Sequence, residues 1–210
     1  TTLTLLQKLV ETMTFAETSV SIVKTNDKTI KLTIQPEEAD KRMVWTSSDE
    51  SVATVVQNHN ASYPLEAIVN AHKIGKTTIK AEAQDGSGMS ATCEVEVTPL
   101  MVSDFSLQTT SCIKTIPIQL KADVTPAEAD NKKLKWTSLT PDIAMVTEDG
   151  MFTGLKMGTA KIKAETTDGS KLSKTFNVEV TALSVGSITL PSTPVTVIKT
   201  KTGKIKVTIE

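Results

Sequence analysis

The chain has 210 residues, 39% hydrophobic and 22% charged, enough for one large core or two ordinary ones. A formal net charge of -1 leaves no basic excess, which argues against a nucleic-acid binder, and no apolar run approaches the ~20 residues that a membrane helix needs. Aromatic residues are only 3%, so the core must be built from Val, Ile, Leu, Ala and Thr.

The chain opens without Met and without a signal-peptide pattern, so it is expected to be a mature or cut fragment. Its two cysteines, Cys93 and Cys112, fall one in each half and do not make a disulfide scaffold.

Taken in chain order, the sequence repeats itself. "TLTLLQKLVETMTF" (2–15) lines up with "EVEVTPLMVSDFSL" (94–107), so residues 1–7 are expected to be the last strand of a preceding repeat. Residues 8–98 form the first full repeat. Within it Ile30, Leu32 and Ile34 alternate with Lys31, Thr33 and Gln35, the period of a strand with one wet face. "TIQPEEADKRMVWTSSDESVATV" (33–55) then matches "DVTPAEADNKKLKWTSLTPDIAMV" (123–146). After a stretch of eight extra residues around "QNHNASYPLEAIVNAH", "IGKTTIKAEAQDGSGMSATCEVEVTPL" (74–100) matches "MGTAKIKAETTDGSKLSKTFNVEVTAL" (157–183) without a gap. Asp85-Gly86 and Asp168-Gly169 each separate two alternating runs and read as tight hairpin turns. Asp149-Gly150 adds such a turn in the second copy alone.

The second full repeat is residues 99–181, and 182–210 are expected to open a further, truncated repeat, because "KIKVTIE" (204–210) matches "TIKLTIQ" (29–35). No segment has helical periodicity. Seven or so short strands per ~90 residues predict a two-sheet sandwich, so the fold class is all-β with tandem sandwich domains. Trp45 and Trp136 are the expected core anchors, each mid-strand and pointing between the sheets, with Met43 and Leu134 pointing the same way. Leu100 and Leu183 hold matching places in short apolar linkers and are expected to pack into the joint between repeats and stiffen it.

The order strand, Pro, "EAD", Lys-rich stretch, "WTS", "SVATV", "IKAE", Asp-Gly-Ser, "VEVT" resembles the bacterial immunoglobulin-like domains of group 2, the modules of intimin- and invasin-type adhesins. The resemblance covers essentially the whole chain. It implies tandem Ig-like β-sandwiches, an extracytoplasmic location and no enzyme activity. The function it implies is a structural spacer or adhesion module of a bacterial cell-surface protein. The alternatives are a decoration or fibre module of a phage particle, or an accessory domain of a secreted carbohydrate-active enzyme. The expected partners are neighbouring repeats in the same chain and a host surface protein or glycan.

Against the family pattern, the first repeat carries an insert at roughly residues 56–73. It holds both histidines, His59 and His72, and the single tyrosine, Tyr63. These three residues are the candidate ligand-contact loop, because loops on rigid scaffolds carry function. The bland reading of the same stretch is a longer hairpin. Two histidines without ligand spacing do not make a metal site, and no Asp-x-Asp-x-Asp-Gly calcium loop is present. No Gly-x-Ser-x-Gly elbow or phosphate-cradling glycine loop appears either, so neither cofactor nor catalysis is expected.

Overall fold

A computed structural model describes residues 8–58 and 65–184, together with the backbone of two short strands further on. Residues 1–7, most of 185–210 and, of the candidate contact residues, His59 and Tyr63 lie outside the described residues. The chain divides into two compact units. One takes in the chain up to Met101 together with Glu128–Asp130, and the other takes in the remainder.

In the first unit the strands are β1 Thr12–Phe15, β2 Ser19–Val23, β3 Asp27–Gln35, β4 Met43–Ser47, β5 Ala53–Gln57, β6 Glu66–Ala71, β7 Gly75–Ala83 and β8 Ser90–Thr98. They form two four-stranded sheets, of order β1-β3-β6-β5 and β2-β8-β7-β4. The alternation read from the sequence places Ile30, Leu32 and Ile34 of one sheet, and Ile79, Val95 and Val97 of the other, in one buried cluster. The core therefore lies between the sheets, as in an Ig-like sandwich. Trp45, third of five residues in β4, packs against this cluster, half-buried, with Phe15 edge-on at 5.9 Å between ring centres.

The short first strand changes sheets. β1 runs antiparallel to β3, with Thr12 opposite Gln35. After a bend at residues 16–18, β2 joins the other sheet and runs parallel to β8, with Ser19 opposite Glu94 and Val23 opposite Thr98. The first and last strands of that sheet are thus neighbours pointing the same way.

The second unit repeats this plan with β9 Asp104–Leu107, β10 Ser111–Ile113, β11 Ile118–Gln119, β12 Ala122–Thr125, β13 Leu134–Ser138, β14 Ala144–Val146, β15 Met151–Gly154, β16 Gly158–Thr166 and β17 Ser173–Thr181. One sheet has the order β10-β17-β16-β13, with β10 parallel to β17. The strand equivalent to β3 is interrupted, so the opposing sheet is in two pieces, β9-β12 and β11-β15-β14. Phe105, Phe152, Trp136, Ile162 and Val178 are buried there. Two further residues on each side pair as β18 Ile188–Thr189 and β19 Thr208–Ile209.

The two units share turns at corresponding positions. The peptide bonds before Pro36 and Pro126 are both cis. Thr25 and Thr115, each just after the second strand of its unit, have φ of 71° and 65°. A β-branched residue is strained there, whereas asparagine visits this region readily. The Thr25 side chain is exposed, so Thr25→Asn is expected to raise the stability of the first unit by about 1 kcal/mol. A urea titration checks this, and an unchanged midpoint would show that the turn is unstrained.

Candidate functional site

The insert of the first unit contains sheet at both of its ends. Its β5 and β6 pair from Ala53 opposite Ala71 to Gln57 opposite Ala67, and β6 also pairs with β3. Thirteen residues separate Val55 from its partner Val69, against five between the equivalent Val146 and Phe152, so the connection between these two strands is eight residues longer in the first unit. The stretch 56–73 is therefore not simply a loop, since Ala67, Val69 and Ala71 are core residues. His72 is exposed at the base of the hairpin, where its Nε2 lies 2.8 Å from Thr54 Oγ1. Among the described residues no three His, Cys, Asp or Glu side chains gather as metal ligands would.

The extension has a packing consequence that the sequence did not reveal. Leu65, at its returning end, accepts a hydrogen bond from the Leu32 amide at 2.8 Å and joins the buried cluster of Leu32, Ile34 and Met43. The second unit has no such covering residue. Ala122, Val124 and Leu134, at the positions of Leu32, Ile34 and Met43 or beside them, are only half-buried. They form, with Leu120 and Trp136, the floor of a groove of about 570 Å³ whose rim carries Lys132, Lys133, Lys135, Glu148 and Asp149. Lys135 pairs with Glu148 at 2.8 Å. Trp136 is 5% exposed, so the groove offers no aromatic face of the kind that stacks on a sugar ring.

A second surface also escaped the sequence reading. Met145 of β14 lies opposite Thr153, with Met151 on the same outward face, and these methionines are 59% and 40% exposed. The equivalent positions of the first unit hold Thr54, Asn70 and Ile68.

The Asp-Gly-Ser turns do more than reverse the chain. Asp168 Oδ1 accepts from the amide and the hydroxyl of Ser170, at 2.9 and 2.6 Å, while its Oδ2 accepts from the amide of Val102 at 2.6 Å. Asp85 repeats this with the Ser87 amide at 2.9 Å and the Val10 amide at 2.6 Å. Each carboxylate thus closes its own turn and pins the first residues of its repeat. The Ser87 hydroxyl foremost, against a smaller push from burial, holds Asp85 below the ordinary carboxylate range. Burial pushes Asp168 up, but the Ser170 hydroxyl and the Val102 and Ser170 amides together outweigh it and leave it lowered. A carboxyl lowered by folding stabilises the fold above its unfolded pKa, and that contribution is lost as pH falls through the folded value. The thermal midpoint is therefore expected to drop below about pH 4. Asp85→Asn with Asp168→Asn should lower the midpoint at pH 7 and shrink its fall between pH 7 and pH 3. An unchanged fall would place the acid sensitivity elsewhere.

Both thiols are unpaired and buried, and burial pushes each pKa up, so neither is an activated nucleophile.

Two Ig-like sandwiches in tandem, with structural carboxylates and no gathered catalytic set among the described residues, define the class. The family model of the bacterial Ig-like domain (group 2) matches residues 9–95 and 103–178, and the chain belongs to that family. An uncharacterised protein of Clostridium acetobutylicum is 32% identical over 178 residues, and the alignment covers 79% of this chain but 17% of that protein. An Ig-like virion protein of Serratia phage KSP90 is 30% identical over 168 residues, covering 77% of this chain and 62% of that protein. A type blood N-acetyl-alpha-D-galactosamine deacetylase of Flavonifractor plautii is 36% identical over 76 residues, covering 34% of this chain and 10% of the enzyme. The chain thus spans a small part of the first of these relatives.

Proposed function

We propose that the chain is a non-catalytic spacer and adhesion module, part of an array of Ig-like repeats in a bacterial cell-surface protein. The observation that carries this reading is the parallel pairing of terminal strands, β2 with β8 and β10 with β17. When two parallel neighbours are pulled from the start of one and the end of the other, they slide past each other. The ladder is then loaded in shear and its hydrogen bonds must break together. Amide bonds Lys24 to Thr98 and Lys114 to Thr181, at 2.9 and 2.8 Å, lengthen the two ladders by one more rung each. A host surface protein or glycan is the ligand class for the array, with the hairpin that carries His59, Tyr63 and His72 as its contact region.

A virion module is the second reading, favoured by the likeness to a phage Ig-like virion protein that extends over 62% of that protein's length. The accessory-domain reading is weaker, because the buried Trp136 presents no sugar platform.

An antibody against the chain, applied to intact source cells and to phage particles purified from them, separates these readings. Labelling of the cell surface is the expected result. Labelling confined to particles would replace the spacer reading with the virion one, and labelling only after cells are opened would remove both.

A further inference from the structure

The groove of the second unit is closed at the corresponding place in the first, and the closed form shows what the open one lacks. Aligned on the repeat, Leu32, Ile34 and Met43 stand where Ala122, Val124 and Leu134 stand. The first three are buried and the second three half-buried. Leu65 makes the difference. It lies beside β3, accepts a hydrogen bond from the Leu32 amide at 2.8 Å and is itself only 8% exposed. It adds a rung to the antiparallel ladder in which Ile30 faces Ala67 and Lys31 faces Glu66.

The second unit ends that ladder early. The Leu120 amide donates to the Gly150 carbonyl at 2.9 Å, and the Gly150 amide closes a tight turn onto Thr147 at 2.9 Å. Beyond this point β12 has β9 as its single neighbour among the described residues. On the β9 side the Gln108 amide donates to the Lys121 carbonyl at 2.9 Å. Backbone groups alternate in direction along a strand, so those of Ala122 and Val124 face the other way, along the groove. An open strand edge beside an apolar trough is the arrangement to which an extended peptide adds as one more strand.

The two ends of the groove differ in charge. Gly150 closes one end. At the other, Lys132 Nζ donates to the Ala127 carbonyl at 2.6 Å, and among the described residues neither Lys132 nor Lys133 forms an ion pair. The rim carboxylates are engaged, Glu148 by Lys135 at 2.8 Å and Asp149 by the Thr147 hydroxyl. The open end is therefore basic.

We propose that this groove binds an extended, acidic segment of a partner protein, which adds antiparallel to β12. A leucine of the segment stands opposite Ala122 as Leu65 stands opposite Leu32, and carboxylates that precede the leucine meet Lys132 and Lys133. The direction is that of the ladder in the first unit, and it runs the segment from the basic end toward Gly150. Gly150 takes the rung two residues past the leucine, so the segment turns away or ends there. Backbone bonds hold such a strand, and the trough selects its side chain. The surface lies wholly in the second unit and goes beyond the spacer reading.

The test titrates the isotope-labelled full chain with the peptide Glu-Thr-Glu-Val-Thr-Leu-Ser and follows its amides by NMR. Control peptides carry alanine for the leucine, or lysine for both glutamates. The expected result is that the Ala122 amide and the Trp136 indole signals shift and that exchange of the Ala122 amide with solvent slows. The alanine peptide should bind about tenfold more weakly or worse, and the lysine peptide more weakly than the parent. Ala122→Pro removes the edge donor while sparing the β9 ladder, a place where an edge strand tolerates proline, and should abolish binding. Amide dispersion checks that this variant folds, and the exposed change Lys133→Glu gives a second, independent loss. Absence of binding, equal binding of the leucine and alanine peptides, or shifts confined to other residues overturns the proposal. An Ala122 amide already protected without peptide overturns it too. Protection at every concentration puts another part of the polypeptide in the groove, and protection only in concentrated solution puts a second copy there.

Discussion

Trp136→Ala is expected to cost the second unit about 3–5 kcal/mol, the usual range for removing a buried tryptophan. Trp136 is the middle residue of β13, opposite Ala164 of β16, and is 5% exposed. Its amide bonds the Glu148 carbonyl at 3.1 Å, and its ring fills the corner beside Gly150. A Cβ built on Gly150 would lie 2.9 Å from Trp136 Nε1, which is why that turn needs glycine as well as its φ of 93°. The ring also lies beside the groove floored by Leu120, Ala122, Val124 and Leu134. The chain has two tryptophans, so in this variant Trp45 fluorescence reports on the first unit alone. In urea the circular dichroism should split into two transitions, the earlier one silent in fluorescence. A shift of less than about 1 kcal/mol would mean that Trp136 is not an anchor of this core.

Gly154→Ala is the second large effect, expected at about 1–3 kcal/mol from overpacking. A Cβ on Gly154 would clash with Val180 Cγ1 and lie 3.2 Å from Cys112 Sγ. The φ of Gly154 is ordinary, so the cost is steric and not conformational. The first unit has Ala71 at this position, with Ile22 and Val97 standing where Cys112 and Val180 stand. The same corner is therefore filled by a different division of volume. Gly154→Ala combined with Val180→Ala should be less destabilised than the two single changes added together, because the second makes room for the first. Strict additivity in a urea titration would contradict the contact.

How much of this could be read in the sequence follows from how local each signal is. The strands, the Asp-Gly turns and the mid-strand tryptophans depend on residues within one or two turns of one another, and the repeat supplies each signal twice. Cys93 and Phe176 illustrate the gain, since both pair across to an isoleucine, Ile79 and Ile162, in one register. The crossing of the first strand between sheets was not legible, because β2 and β8 pair across some 75 residues and neither carries a mark of the other. The two roles of Asp168 were hidden for the same reason. The turn is visible as Asp-Gly-Ser, but the amide of Val102 lies 66 positions away. The insert attracted notice for its histidines and tyrosine. Its packing role belongs to Leu65, a residue type with no signature of its own. The groove arises from an absence of cover at residues that look like any other strand, and only the fold brings its floor and rim together.

On the proposed spacer function, each sandwich carries load between its parallel terminal strands, β2 with β8 and β10 with β17. Stretching single molecules of the chain between its ends tests this most directly. The account predicts a separate rupture for each unit, each releasing roughly 300 Å at about 3.5 Å per residue. The second unit should yield at lower force, because β10 and β17 share three residue pairs where β2 and β8 share five. A chain that extends smoothly at low force, or that opens in one combined step, would contradict it.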